Sequence, residues 1–481
     1  MLRVRLSNPL TSGQNRERRK LPSSVFGLPT FPYLCAVENL QRLLELYRDD
    51  ARTQTIVKAV TDVSTPPRLH LSGMVGAQVC FVLTGTYLSN PNHILLIANS
   101  KEEAAFYQNN IANLFEKKTI HFFPDSFKRP MYFESLNNGN VLQRTETINK
   151  ITSSNSQGEI IITYPEALFE KVVAPAELKK SRIEIKMKES VEPDTLIEIL
   201  VEYGFQRVDF VYEPGQFSIR GGIFDIFSYG NEWPYRVELF DDEVESIRTF
   251  NPATQLSIQK IARVSIVPNI NTRFEQSQKV SFFKVIPENS LIFVQNLQVL
   301  SDKLQITFDK AEEFAATISV TDESELAEMM RDRAFMLPAK IVESIEPFPI
   351  LNFGNDKNVI EFQQELKYNT KPQPSFNKNF KLLIEDLQKN AKDKVINYIF
   401  THNPKQIERF YAIFEDLSAQ VQFHPITKAI NEGFIDYELN VACYTDHQIF
   451  ERFHKYKLKK GFSKDKSLSL KLLRELHPGD F

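Results

Sequence analysis

Cysteine is nearly absent from these 481 residues. The three that occur, Cys35, Cys80 and Cys443, stand far apart with no second cysteine or histidine at ligand spacing, which argues against a disulfide framework and against a zinc site. A reducing compartment follows. Long apolar runs are missing too: no stretch approaches the roughly 20 residues that span a bilayer, so the expectation is a cytoplasmic chain without a membrane partner. Charge of one sign is lacking, with 58 basic against 61 acidic residues and a net charge of −3, so no chain-wide basic field points to nucleic acid as the main partner. Glycine is scarce at 16 residues, which leaves few places where backbone could cradle a phosphate. The histidines, including His447 and His454, have no partners at metal spacing. What the chain does have is length, enough for about three to four domains of ordinary size.

The first 36 residues hold Arg3, Arg5, Arg16, Arg18, Arg19 and Lys20 against one acid, Glu17. The apolar stretch that follows is broken by Pro29 and Pro32, which spoils a signal peptide, and residues 1–37 are expected to be a disordered extension. A helix is expected from Glu38, with Leu40, Leu43, Leu44 and Tyr47 on one stripe.

The segment from Tyr203 to Phe250 carries features that folding alone does not require. Read with a period of two, Ser218 and Arg220 face away from Phe217 and Ile219. Likewise Arg236, Glu238 and Phe240 face away from Val237 and Leu239. Two arginines and a phenylalanine on faces that should meet water are contact types enriched in protein-recognition surfaces. The blander reading has Phe240 packing under the Asp241-Asp242-Glu243 turn in a small satellite core, and the arginines solvated or paired with Glu238, Glu243 or Glu245. Gly221 and Gly222 are assigned to a bulge or bend.

The same residues carry a family resemblance. The run Pro-Gly-x-Phe-x-x-Arg-Gly-Gly-Ile-x-Asp-Ile-Phe from Pro214, then Pro-Tyr-Arg-x-x-Leu-Phe-Asp-Asp-Glu-Val-x-Ser-Ile-Arg-x-Phe from Pro234, then Thr254-Gln255, resembles the UvrB-homology module of the bacterial transcription-repair coupling factors. The resemblance extends more weakly from about Glu38 to the end of the chain. Its last residues, Leu476 to Phe481, resemble the start of the family's RNA-polymerase-interacting domain, so the chain is expected to lack that domain and the translocase. The resemblance implies that Arg220, Arg236 and Phe240 contact UvrA, with Arg207 an additional candidate. Planar guanidinium donors would meet acidic groups on UvrA, and a rigid aromatic anchor would sit between them.

Residues Arg68 to Cys80 read as a strand, a glycine turn and a new helix, the layout of a phosphate-binding loop. Set against the nucleotide-binding loop of UvrB, Val79 stands where the lysine belongs and Cys80 where the Ser/Thr belongs. A valine cannot neutralise phosphate and a thiol is a poor magnesium ligand, so the loop is a relic, with Gly73 and Gly76 left to serve a tight turn and helix packing. No catalytic residue, metal or cofactor is expected in this chain. ATP and Mg²⁺ are expected only in the motor domains outside it.

His93–Ala98, Glu159–Thr163 and Ser290–Val294 are short, near-continuous apolar runs of the kind buried on both faces of an α/β sheet. The fold class expected is therefore α/β. An inserted α+β domain with an antiparallel sheet is expected over 181–268, and the resemblance implies that residues 38–180 form the first part of a UvrB-like, degenerate helicase-type parallel domain that 269–354 completes. A linker is expected over 355–379, a separate small α/β domain of unclear role over 380–455, and a basic connector over 456–481. From Glu451 to Lys471 the chain carries eight Lys/Arg against two acids, so contact with DNA phosphates is a minor alternative.

The preferred function is a non-catalytic adaptor of transcription-coupled nucleotide excision repair that recruits UvrA by mimicking UvrB. RNA polymerase and double-stranded DNA would be reached through the domains outside the chain, and a monomer is expected. The rival is a UvrB-like ATP-dependent DNA helicase subunit.

Overall fold

The computed structural model describes residues 31–452, apart from 62–64, 116, 129–132, 134–135, 154–157, 270–277, 319–334 and 355–359, and for 31–36 the backbone alone. The basic stretch over 456–481 and the first 30 residues lie outside that description. The first helix, Phe31–Asp49, begins well before Glu38. Pro32 falls in its first turn, where a missing N–H costs nothing, so the helix starts within the stretch expected to be a disordered extension.

Seven strands form one sheet in the order Gln364–Lys367, Arg68–Ser72, Ile350–Asn352, Leu291–Val294, Ile94–Ile97, Ile160–Thr163, Ile120–Phe122. Every pairing in it is parallel. The central strands Ile94–Ile97, Ile160–Thr163 and Leu291–Val294 are buried at every position, because helices cover both faces. Each of Ile160, Ile161 and Ile162 contributes about 1.5–3 kcal/mol by leaving water. Helix Lys101–Leu114 starts at Ser100, whose side chain accepts from the Glu103 N–H, with Glu102 and Glu103 in the first turn complementing the helix dipole.

Strand Ile183–Lys186 pairs antiparallel with Arg263–Ile266, so the entry and exit of the insert are clasped together. Between them, helix Pro193–Glu202 covers one face of a six-stranded sheet ordered Ser257–Lys260, Glu243–Phe250, Tyr235–Phe240, Ile223–Ile226, Gln216–Arg220, Gln206–Arg207. Phe217, Phe224, Ile226, Val237 and Ile247 fill that face, with Leu196 and Leu200 of the helix in the same core. All its pairings are antiparallel except that of the outermost Gln206–Arg207. Gly221 and Gly222 form a two-residue hairpin turn rather than a bulge, with Arg220 directly opposite Ile223 and Gly221 at φ +61°. A bulge does occur one strand over, where the register shifts between Glu238 and Leu239.

Two expectations fail toward the C-terminus. The stretch 355–379 is no plain linker: Gln364–Lys367 extends the seven-stranded sheet and Thr370–Pro372 joins a second, five-stranded sheet. Pro372 is tolerated because it ends a strand on the sheet's edge. Nor is the α/β unit over 380–455 separate. Its sheet has one face under helices Phe380–Lys392 and Pro404–Asp416, which share a core of Leu383, Leu387, Ile399, Phe410, Phe414 and Tyr444. From the other face Phe400, Ile426, Phe434 and Cys443 join the core of the first domain. Phe81 of the first domain sits 6.0 Å from Phe400 and 5.4 Å from Phe434, ring to ring. Sequence periodicity shows that a face is apolar, and here the cover came from a segment more than 300 positions away.

Candidate functional site

The relic loop and the insert's polar face are the two places where sequence pointed to chemistry. At the loop, Gly73 and Gly76 both have left-handed backbone, at φ +82° and +56°. A Cβ on Gly73 would lie 2.2 Å from the Tyr368 carbonyl oxygen, and one on Gly76 would lie 2.9 Å from that of Gly433. Both glycines therefore allow close approach by backbone of the C-terminal half, at Tyr368 and Gly433, rather than helix packing within the first domain. Helix Gln78–Ser89 starts without a side-chain cap, and the Ala77 N–H, which a phosphate-binding loop would offer to its ligand, donates to the Glu432 carbonyl at 3.2 Å. Gln78 Nε2 donates to Asp436 Oδ2 at 2.8 Å.

Val79 and Cys80 are both buried, and Asn110 Nδ2 donates to the Cys80 Sγ at 3.7 Å. Burial pushes the Cys80 thiol up to about 12. Beside the loop lies a cavity of about 850 Å³ lined by Gly76, Val79, Glu103, Tyr107, Phe353, Glu432, His447 and Arg452, among others. Among the described residues its lining carries two carboxylates, which oppose a phosphate, and one arginine, Arg452, but no lysine. His447 is engaged with protein, its Nε2 2.8 Å from the Asn431 carbonyl oxygen, and burial holds its pKa below the ordinary histidine value. Val79 and Cys80 offer ATP and Mg²⁺ neither the cation nor the oxygen ligand that a phosphate-binding loop supplies at those positions. A measurable consequence is thiol inertness. In a Cys35→Ser chain at pH 8, where a thiol of pKa about 12 stays protonated, an aromatic disulfide reagent should label neither Cys80 nor Cys443 until denaturant is added. Fast labelling of the native chain would show that the loop opens.

On the insert, the three singled-out side chains take different positions. Phe240 is 71% exposed at the end of its strand, ahead of the Asp241-Asp242 turn in which Asp241 has φ +54°. It does not enter a satellite core. The satellite core that exists nearby consists of Leu142, Val211, Phe227 and Phe250, and it ties the insert to helix Asn138–Ile151. Arg220 and Arg236 do not simply meet water, nor do they pair with Glu238, Glu243 or Glu245. Both converge on Asp225, which is fully buried on the strand between theirs.

Arg236 makes a two-pronged contact, Nε to Oδ1 at 2.7 Å and Nη2 to Oδ2 at 2.9 Å, and lies over the Phe250 ring at 4.6 Å. Its side chain is only 16% exposed, and the hydrogen bond to Asp225 raises its pKa. Arg220 donates Nη2 to the same Oδ2 and stacks 4.9 Å from the ring of Phe210, with 38% of its side chain exposed. Glu238 is taken by Arg248 and Ser246 instead. Arg207 is exposed on the outermost strand, two strands away from Asp225, and the Asp225 cluster does not include it. Asp225 is the residue that sequence reasoning missed. Its position opposite both Ser218 and Arg236 was implicit in a correct hairpin register, the one signal that would have found it.

This strand order, clasped at Ile183–Lys186 and Arg263–Ile266, coincides with a known module: residues 183–271 match the UvrB interaction domain. Over 200 residues the chain is 34% identical to the transcription-repair-coupling factor of Bacillus subtilis, covering 41% of this chain and 17% of that protein. The Staphylococcus haemolyticus factor is 29% identical over 206 residues, 43% of this chain and 17% of its own length. The Staphylococcus aureus factor matches at 18% identity over 91% of this chain and 43% of its own length. Over these stretches the chain is similar to the transcription-repair-coupling factors, with the UvrB interaction domain matched within it. It spans less than half the length of these relatives. Among the described residues no helix is long and apolar enough to cross a membrane, and no group of three His, Cys, Asp or Glu side chains could hold a metal ion.

Proposed function

We propose that this chain recruits UvrA in transcription-coupled nucleotide excision repair, as a cytoplasmic adaptor that does no nucleotide chemistry of its own. The observation that carries this reading is Phe240, a large aromatic held out in water beside arginines that are already ordered. Such an arrangement has no stability rationale, because exposing a phenylalanine forgoes its burial, whereas a protein partner that covers it recovers that burial. The match of this module to the UvrB interaction domain supplies the partner class. Arg220 and Arg236 outnumber Asp225 by one charge, so the patch favours acidic groups on UvrA. ATP-driven displacement of RNA polymerase along double-stranded DNA belongs, on this reading, to sequence not contained in these 481 residues. The rival, a UvrB-like helicase subunit, is disfavoured by the loop amide bound to Glu432 and by the buried Val79 and Cys80.

The test is calorimetric titration with purified UvrA, the Arg220→Ala/Arg236→Ala/Phe240→Ala chain run in parallel and ATP turnover measured on the same samples. Binding that the triple substitution abolishes, without turnover, is expected. Turnover, or a wild-type chain that UvrA ignores, overturns the proposal.

A further inference from the structure

The carboxylate of Asp225 lies on the Ile223–Ile226 strand, directly opposite Arg236 on one neighbour and Ser218 on the other. It has no exposed surface, yet it faces the polar side of the sheet and is shared by two guanidinium groups. An exposed arginine samples many rotamers and loses that side-chain entropy when a partner fixes it. Here that ordering is already in place: Arg236 is held by both carboxylate oxygens and by the Phe250 ring, and Arg220 by Oδ2 and the Phe210 ring. One buried negative charge against two positive ones leaves the pair cationic, so the clamp orders the arginines without neutralising them.

We propose that Asp225 is the positioning residue of the UvrA-docking surface: it touches no partner itself, and it fixes Arg220 and Arg236 in the geometry that an acidic partner surface reads. Phe210, half exposed under Arg220, is the second element of the same frame. The inference rests on the proposed recruitment of UvrA.

Asp225→Asn keeps the shape of the side chain and removes its charge, so it separates position from packing. Two readouts on the full chain test the role. In ¹⁵N spectra, the Arg236 Nε–H is expected as a slowly exchanging signal in the wild type and as a fast-exchanging one in the variant. In calorimetry, UvrA affinity is expected to fall about 10-fold in Asp225→Asn, while the same substitution made on Arg220→Ala/Arg236→Ala costs less than about 2-fold, because no arginines remain to be placed. A loss of equal size in both backgrounds would mean a structural role only, and unchanged affinity in the single variant would likewise overturn the clamp. Should Asp225→Asn not fold, Arg236→Lys keeps the charge balance and removes only the two-pronged contact. An affinity drop of at least about 5-fold is expected there, and wild-type affinity would refute the geometry. Equal UvrA binding by the wild type and by Arg220→Ala/Arg236→Ala is a different outcome. It removes the arginines from the docking surface and this inference with it, whereas a wild-type chain that UvrA ignores removes the recruitment reading itself; in both cases the exchange data still report whether Asp225 orders the arginines.

Discussion

Replacing Asp436 by alanine is expected to release the C-terminal α/β unit from the first domain, at a cost of about 3–5 kcal/mol. Asp436 is fully buried and accepts from Gln78 Nε2 at 2.8 Å and Tyr47 Oη at 3.2 Å, both in the first domain. It also accepts from the N–H groups of Glu438 at 3.0 Å and Leu439 at 3.1 Å in its own loop. Arg52 approaches to 3.5 Å and is paired in addition with Asp50 and Glu438. Burial and the nearby Asp436 charge together hold the Tyr47 hydroxyl well above its ordinary pKa, so it stays a neutral donor.

Alanine would leave the buried Gln78 and Tyr47 without this acceptor, at roughly 1–3 kcal/mol for each group that water cannot reach, and would free two half-buried backbone donors of the 436–439 loop. Because Trp233, the single tryptophan, lies in the insert, its fluorescence reports the insert while far-UV circular dichroism reports the whole chain. In guanidinium titrations of Asp436→Ala the dichroism should fall at lower denaturant while the Trp233 transition holds its place. Hydrogen exchange should quicken at Ala77 and at Glu438. Asp436→Asn should lose less, since its carbonyl oxygen still accepts. Coincident transitions at the wild-type midpoint would show that the two units do not depend on this contact.

Phe240→Ala is expected to do the opposite, leaving stability untouched and removing affinity. At 71% exposure the ring has little burial to lose, so the unfolding midpoint should stay within the scatter of a surface substitution, about 0.5 kcal/mol. An aromatic anchor covered by a partner is worth about 2–4 kcal/mol, on the order of 30- to 1,000-fold in Kd for UvrA. Phe240→Leu should recover part of this, because an apolar group would still be covered, and Phe240→Asp should recover none. Calorimetry across the three variants, with Trp233 fluorescence as the folding control, decides the point. Binding of Phe240→Ala within about 2-fold of wild type would remove Phe240 from the interface and shift weight to the arginines.

The contrast between these two residues follows from what a sequence can and cannot encode locally. Near-continuous apolar runs at Ile94–Ile97, Ile160–Thr163 and Leu291–Val294 announced doubly covered parallel strands, since only strands with helices on both sides can be apolar at successive positions. Pro193 and Gly204 are sequence signals for the ends of the insert's helix, because proline suits a first turn and glycine adopts the left-handed φ of +76° found there. Val79 and Cys80 argue against nucleotide binding at the loop by side-chain chemistry alone, an argument that needs no coordinates. Alternation placed Phe240 on a polar face.

Only the tertiary structure decided what covers each face and which charges meet. Asp225 and Arg236 are 11 positions apart and meet through strand register; Tyr47 and Asp436 are 389 apart and meet through domain packing. A period of two states which side of a sheet a residue occupies, but a neighbour across the ladder or across an interface is fixed by the summed packing of many residues. That is why the arginines looked solvated in sequence and are clamped in the fold. It is also why 355–379, polar and proline-bearing, read as a linker although its strands stitch two sheets together: backbone hydrogen bonds to a strand's edge demand no particular side chain.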